Sequence, residues 1–218
     1  VWVGDIKYKD LNGDGVINDL DKTNIGSPLP KFTFGWTNTF RYKNFDLSIF
    51  INGSYGNKVF NYLDMKLSAM NNVWVNTSNS VKGHANLAPI NPDKVYDNGG
   101  RWYDDVSNVQ VTNPNASIPR PTRNDPNDND AISDRYVEDG SYIRLKNITL
   151  GYTFPKKMVE KVGLQSLRLS VNVQNLLTIT GYDGYDPEIG ASTASENVYG
   201  LDFGRYPSPT VYSFNLNV

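Results

Sequence analysis

The sequence predicts an all-β chain, about six antiparallel strands joined alternately by short turns and long polar loops. Three observations carry this. Apolar and polar residues alternate with a period of two over unusually long runs. The composition favours strands and turns, with 14 Tyr, 18 Gly and 12 Pro against 3 Met in 218 residues. No apolar run approaches the ~18 residues of a membrane-spanning helix.

The predicted elements follow in order. Val1 to Lys9 is a first strand, with Trp2, Ile6 and Tyr8 as its apolar members. After a long loop, 10–31, the strand 32–42 sets Phe32, Phe34, Trp36, Phe40 and Tyr42 against Thr33, Gly35, Thr37, Thr39 and Arg41. Lys43 and Asn44 make a tight turn into the strand 45–55, where Phe45, Leu47, Ile49, Ile51 and Tyr55 share a face and Phe50 is the exception. The segment 56–139 is a second long loop, with Val59, Phe60, Leu63, Leu67 and Met70 at helix spacing. The strand 140–154 carries Ile143 and Leu145, then changes phase to Ile148, Leu150, Tyr152 and Phe154. That slip predicts a β-bulge near Lys146–Asn147. A short connection, 155–165, leads to the strand 166–180, with Leu167, Leu169, Val171 and Val173 on one face. A third long loop, 181–208, precedes the strand 209–218, where Tyr212, Phe214, Leu216 and Val218 alternate with Ser213, Asn215 and Asn217.

Alternation alone leaves two architectures open. In a soluble sandwich the apolar rows form the core. In a transmembrane barrel they face lipid and the polar rows face the lumen. Strand length favours the barrel, since ~9–11 residues cross a bilayer and globular strands average ~5–6. So does loop asymmetry, because outer-membrane barrels have short periplasmic turns and long extracellular loops. Tyr42, Tyr55, Tyr142, Phe154 and Tyr212 stand near strand ends, where interfacial girdles form.

Composition excludes several functions. With 21 Lys+Arg against 23 Asp+Glu, no nucleic-acid partner is expected. There is no cysteine and one histidine, His84, so disulfides, thiolate zinc sites and multi-histidine sites are out. Asp104–Asp105 and Asp186/Glu188 are carboxylate pairs, but no set of nucleophile, base and orienter accompanies them, and no enzymatic role is expected. No charged-then-apolar leader precedes Val1, which points to a removed signal or a piece of a longer chain.

The most specific local pattern is DLNGDGVINDLD at residues 10–21. Asp10, Asn12 and Asp14 fall at positions one, three and five of a calcium loop, and Gly15 at six, where the chain must turn sharply. Val16 offers its carbonyl at seven, Asn18 stands at nine and Asp21 at twelve. Asp in place of Glu at twelve shortens the last ligand's reach. The expected cofactor is structural Ca2+, with an Asx-turn that only resembles a calcium loop as the plainer reading.

Four blocks carry a family resemblance. They are GDIKYKDLNGDGVINDLDKTNIGSPLPKFTFGWTNTFRYKNFDLSIFINGSYGN, SYIRLKNITLGYTFPKK, LRLSVNVQNLLTITGYDGYDPEIG and RYPSPTVYSFNLNV. Together, in this order, they resemble the C-terminal barrel region of SusC/RagA-type TonB-linked outer-membrane transporters, least so over 71–135. The resemblance implies that residues 1–218 are about the last six strands of a large barrel in the outer membrane of Bacteroidetes-type bacteria. An N-terminal plug, not present here, would fill that barrel and contact the TonB complex. It also implies import of glycans or oligopeptides and a SusD-like surface lipoprotein as partner. Family members usually finish on an aromatic residue, and Val218 is not one.

Substrate contacts are expected from outer-loop aromatics: Trp74, Trp102, Tyr103, Tyr182 and Tyr185, with Tyr96 and Tyr199 as further candidates. Any one of them serves equally well to staple loops together. Arg41, Arg144 and Arg168 are expected to face the lumen, and 120–134 to be a solvated loop. The alternative to the transporter is a soluble, secreted calcium-binding β-sandwich such as a carbohydrate-binding module.

Overall fold

The computed structural model describes residues 1–71, 76–94, 100–189 and 198–218. They form two compact units. One comprises Gly26–Asn61 and Val137–Val218, the other Val1–Ile25 and Tyr62–Tyr136.

The first unit is built on a five-stranded antiparallel sheet. Its strands are β1 (Phe32–Tyr42), β2 (Phe45–Tyr55), β7 (Tyr142–Thr153), β8 (Arg168–Thr180) and β10 (Val211–Asn217), in that spatial order. Each long strand pairs with the next long strand along the chain, so the sheet is a meander. Neither β1 nor β10 has a second partner among the described residues, and the sheet is open. Its register aligns the faces that alternation marks. Phe40, Leu47, Leu150, Val171 and Phe214 form one apolar row across all five strands. Thr39, Ser48, Thr149, Asn172 and Ser213 form the polar row beside it on the opposite face. Register slips between Leu145 and Asn147, where the phase of β7 changes. Opposite, Asn175 of β8 takes φ 53°, the left-handed conformation a bulge accommodates.

Above this sheet, β3 (Lys58–Asn61) runs between β6 (Val137–Asp139), antiparallel to it, and β9 (Leu201–Asp202), parallel to it. Val59, fully buried, centres this small sheet. At the opposite end, α2 (Lys156–Val159) occupies the β7–β8 connection.

The second unit contains α1 (Tyr62–Ser68) and a two-stranded ribbon of β4 (Leu87–Pro89) and β5 (Val109–Val111). Its interior is Met65, Ala85, Val109, Ile118 and Tyr136. The helix takes in Leu63 and Leu67, while Val59 and Phe60 of the same apolar spacing lie on β3 instead.

One expectation is corrected and another is qualified. Residues 1–9 form no strand. Trp2 carbonyl accepts the Asp5 N–H at 3.0 Å, which turns the chain at Gly4, φ 84°. Ile6 N–H then donates to Asn129 Oδ1, and its carbonyl accepts from Asn127 Nδ2. Side chains thus take the backbone groups a ladder would need. Tyr8 donates to Asp128 carbonyl at 2.6 Å, and burial pushes its phenol up to about 12. The same contacts qualify the reading of 120–134 as a solvated loop: Arg123, Asn124, Asp128 and Asp134 are exposed as expected, but the segment is anchored at Asn129 and Arg120. Asn129 is 5% exposed, bonded to Asp5 and Asp125, and Arg120 pairs with Asp5 at 2.8 Å.

Candidate functional site

The two faces of the large sheet differ in kind. Much of the apolar face is exposed among the described residues, most of all on the edge strands, where Trp36 is 56% exposed, Leu216 62% and Phe214 80%. The polar face instead carries ion pairs and covered side chains. Arg168 on β8 reaches across β7 to Asp46 on β2, Nη2 to Oδ2 at 2.6 Å. It passes over Gly151, where any Cβ would strike both groups. Asn172 bonds Asn147 and Thr149, at 2.6 and 2.8 Å.

The densest polar cluster centres on Arg144 of β7, 3% exposed. Its Nη2 donates to Asp186, its Nη1 to Glu188 Oε2 at 2.7 Å and its Nε to Thr178 at 2.8 Å. Lys146, the residue at the register slip, reaches the same Glu188 oxygen at 2.8 Å. Asp186 also accepts the backbone N–H of Glu188 and of Ser208, both at 3.0 Å. Burial works against its charge, but Arg144 and these N–H groups outweigh it and hold its carboxyl at about 2. The connection after β8 is thereby fastened to the polar face of the sheet at 186–188, and Asp186 in turn holds its later part at Ser208. A second buried carboxylate, Asp202, accepts from the Tyr182 hydroxyl at 2.6 Å and from Gly204 and Arg205 N–H.

The 10–21 loop is closed by its own side chains. Asp10 accepts N–H from Gly13 and Gly15, Asp14 from Val16, Asn12 from Asp14, and Asn18 from Leu20. Asp21 accepts from Leu11 and Asn18, both at 2.8 Å, and the N–H groups of Asn18 and Leu11 hold it below the ordinary carboxylate value. Gly13 and Gly15 sit at φ 77° and 81°, which lets the loop turn twice. Asp10, Asp14 and Asp21 make no ion pair with any described residue. Carboxylate oxygens are the donor type a hard cation takes, and here the loop's own N–H groups engage them. The three carboxylates are not drawn within 4.8 Å of one another, as those of Asp125, Asp128 and Asp130 are.

No family model matches the chain. The TonB-dependent receptor P3 of Formosa agariphila is 37% identical over 215 residues, 97% of this chain and 18% of the relative. The TonB-dependent receptor SusC of Bacteroides thetaiotaomicron is 27% identical over 213 residues, 97% of this chain and 17% of the relative. The chain is homologous to the SusC/RagA-type TonB-dependent receptors. It spans about a fifth of the length of the curated relatives it matches. Among solved structures, the RagAB peptide transporter superposes with a TM-score of 0.63 at 17% identity, over 92% of this chain and 19% of that one. The RagAB peptide importer in its closed-closed state superposes with 0.60 at 18%, over 88% and 17%. At these identities the likeness shows the fold alone, an antiparallel sheet that is part of a β-barrel.

On this SusC-like sheet the aromatic candidates are dispersed. Trp74 and Tyr96 lie outside the described residues. Trp102 and Tyr103 stack edge to face at 5.6 Å in the second unit, with the Arg101 guanidinium 5.6 Å from the Tyr103 ring. Tyr185, in the first unit, is 63% exposed and free to meet a ligand. Tyr182 is 5% exposed and spent on Asp202, so a stacking role for it is replaced by a stapling one. The Arg144 cluster is half legible in the sequence: an arginine on a polar strand face shows in the alternation, whereas Asp186 and Glu188 stand 42 and 44 residues away and no local pattern joins them to it.

Proposed function

We propose that this chain is barrel wall and outer connections of a TonB-dependent importer in the bacterial outer membrane. The observation that carries the reading is the contrast between the faces, with largely exposed aromatic and aliphatic rows on one side and fastened charges on the other. From Phe32 to Tyr42 the apolar band runs eleven residues, about 34 Å along the strand and about 24 Å upright at a 45° tilt. That matches the ~25 Å apolar band of outer-membrane barrels. Lipid is the solvent such a band needs. The polar face would line the lumen, where a plug segment outside this chain meets Arg168, Asn172 and their neighbours.

The cargo in this reading is a large nutrient, glycan or oligopeptide, captured with a SusD-like lipoprotein and released by the TonB complex. The names of the curated relatives and of the peptide importer support it. Tyr185, Trp102 and Tyr103 are the candidate contacts. The 10–21 loop would hold Ca2+ through Asp10, Asn12, Asp14, the Val16 carbonyl, Asn18 and Asp21, as a stiffener and not a catalyst.

Cell fractionation tests the location. The protein is expected in the outer-membrane fraction, extracted only by detergent, and recovery from the aqueous fraction would remove the reading in favour of a soluble calcium-binding sandwich. Deletion of the gene is expected to slow growth on one complex glycan or peptide source while growth on its monomers stays normal. For the metal, detergent-purified protein is expected to melt at a lower temperature in EGTA than in millimolar Ca2+, and Asp10→Asn with Asp14→Asn to abolish that difference. Equal melting in both would leave the loop as an Asx-turn.

A further inference from the structure

We propose that the tight-turn end of the five-stranded sheet is a docking surface for anionic phospholipid headgroups. The inference rests on the membrane reading above.

Asn44 carbonyl accepts the Thr153 N–H at 2.9 Å, so the β1–β2 turn and the β7–β8 connection lie side by side. Lys43 stands at the tip of the first, its Nζ 5.3 Å from the Tyr42 ring. The second runs through α2 and one tighter turn, Glu160–Val162, and is closed by Gly163 at φ 77°. Val159, 3% exposed, packs this connection down, and the rest faces outward. Lys156, Lys157 and Lys161 are exposed, as are Met158 at 57% and Val162 at 70%. Apolar Met158 and Val162 thus share this short connection with Lys157 and Lys161.

The charge is one-sided. Across both connections the one acid is Glu160, 3.6 Å from Lys156. Lys43, Lys157 and Lys161 pair with no described carboxylate. The other end of the same unit mixes signs, with Asp139, Asp186 and Glu188 beside Lys58, Arg144 and Lys146. Next to the lysines lies an aromatic belt, where Phe45 meets Tyr152 at 4.6 Å and Tyr152 meets Phe154 at 4.9 Å. The aromatic rings stand at the strand ends, and the exposed Met158, Val162 and lysines stand on the connections that follow them. A phospholipid leaflet presents the complement: acyl chain, glycerol boundary, phosphate. Lysine binds phosphate as a point charge without strict geometry, which suits a fluid surface.

The test uses the whole protein, reconstituted into nanodiscs of phosphatidylethanolamine alone or with one quarter phosphatidylglycerol. The readouts are melting temperature and phosphatidylglycerol retained on native mass spectrometry. Phosphatidylglycerol is expected to raise the melting temperature, and K156Q, K157Q and K161Q together to lower its retention roughly tenfold to a hundredfold. Their melting temperature in phosphatidylethanolamine alone should match wild type, which separates lipid binding from folding. Met158→Ser with Val162→Ser is expected to weaken retention as well. A protein that enters nanodiscs but is indifferent to phosphatidylglycerol overturns the proposal alone and leaves the lysines to water or an acidic protein. A protein that stays in solution without lipid overturns the membrane reading beneath it.

Discussion

Arg144 shows what one residue does for this fold. Charge buried in protein is costly unless it is paired and hydrogen-bonded, and Arg144 spends its three nitrogens on Thr178, Asp186 and Glu188. Removing it strands Asp186, itself 3% exposed, without its cation. Arg144→Gln is therefore expected to cost about 3–5 kcal/mol locally. Hydrogen exchange reads this directly, because the amides of Glu188 and Ser208 donate to Asp186 and should lose protection while β1–β2 amides keep theirs. Acid makes an independent test. Asp186 is held at about 2 against an ordinary 3.8, so the stabilisation its carboxylate provides is fully present above 3.8. It fades as pH falls from 3.8 through about 2. The two amides should stay protected at pH 5 and open progressively below 3.8, and opening already at pH 5 would refute the assignment.

At the scale of elements, strand pairing and side-chain bridging depend on each other. The Arg168–Asp46 pair ties β8 to β2 over the intervening β7, and it exists because residue 151 has no side chain. Gly151→Ala places a methyl group against Arg168 and Asp46 and is expected to destabilise by about 1–3 kcal/mol. Gly181→Ala, where a Cβ meets nothing within 4 Å, should fall within about 0.5 kcal/mol of wild type. Urea unfolding of the two variants in one detergent makes the comparison. Elements of this kind were unequally legible. The long strands announce themselves because one face is apolar for ten residues, and the phase slip at Lys146 is visible as a change of parity. Strands β3 to β6 and β9 are two to four residues long and carry too little period to register. Residues 1–9 look like a strand because Ile6 and Tyr8 alternate, yet the chain turns at Gly4, the distant Asn127 and Asn129 take the Ile6 backbone, and the Asp128 carbonyl takes the Tyr8 hydroxyl. The 10–21 loop is readable as a motif because its Asp, Asn and Gly spacing is local, whereas the Arg144 clamp joins residues 42 apart.

Taken whole, the molecule turns on which solvent meets the apolar face. Alternation could not decide between protein core, lipid and water. The register does narrow it, since the apolar rows align across all five strands into one continuous surface. Trp36 lies within that band, and its chain neighbour Thr37 faces the opposite side. If lipid covers the band, Trp36→Arg puts a guanidinium in hydrocarbon and should cost about 2–4 kcal/mol, as charges near the midplane of barrels do. Thr37→Arg meets the polar side and should be tolerated. The expected measurement is the folded, heat-modifiable fraction recovered from outer membranes, sharply reduced for Trp36→Arg and near wild type for Thr37→Arg. If water bathes the band instead, Trp36→Arg removes an exposed indole, folds normally and raises solubility. The two outcomes have opposite signs for one substitution, so a single pair of adjacent residues distinguishes a wall in a membrane from a sheet in solution.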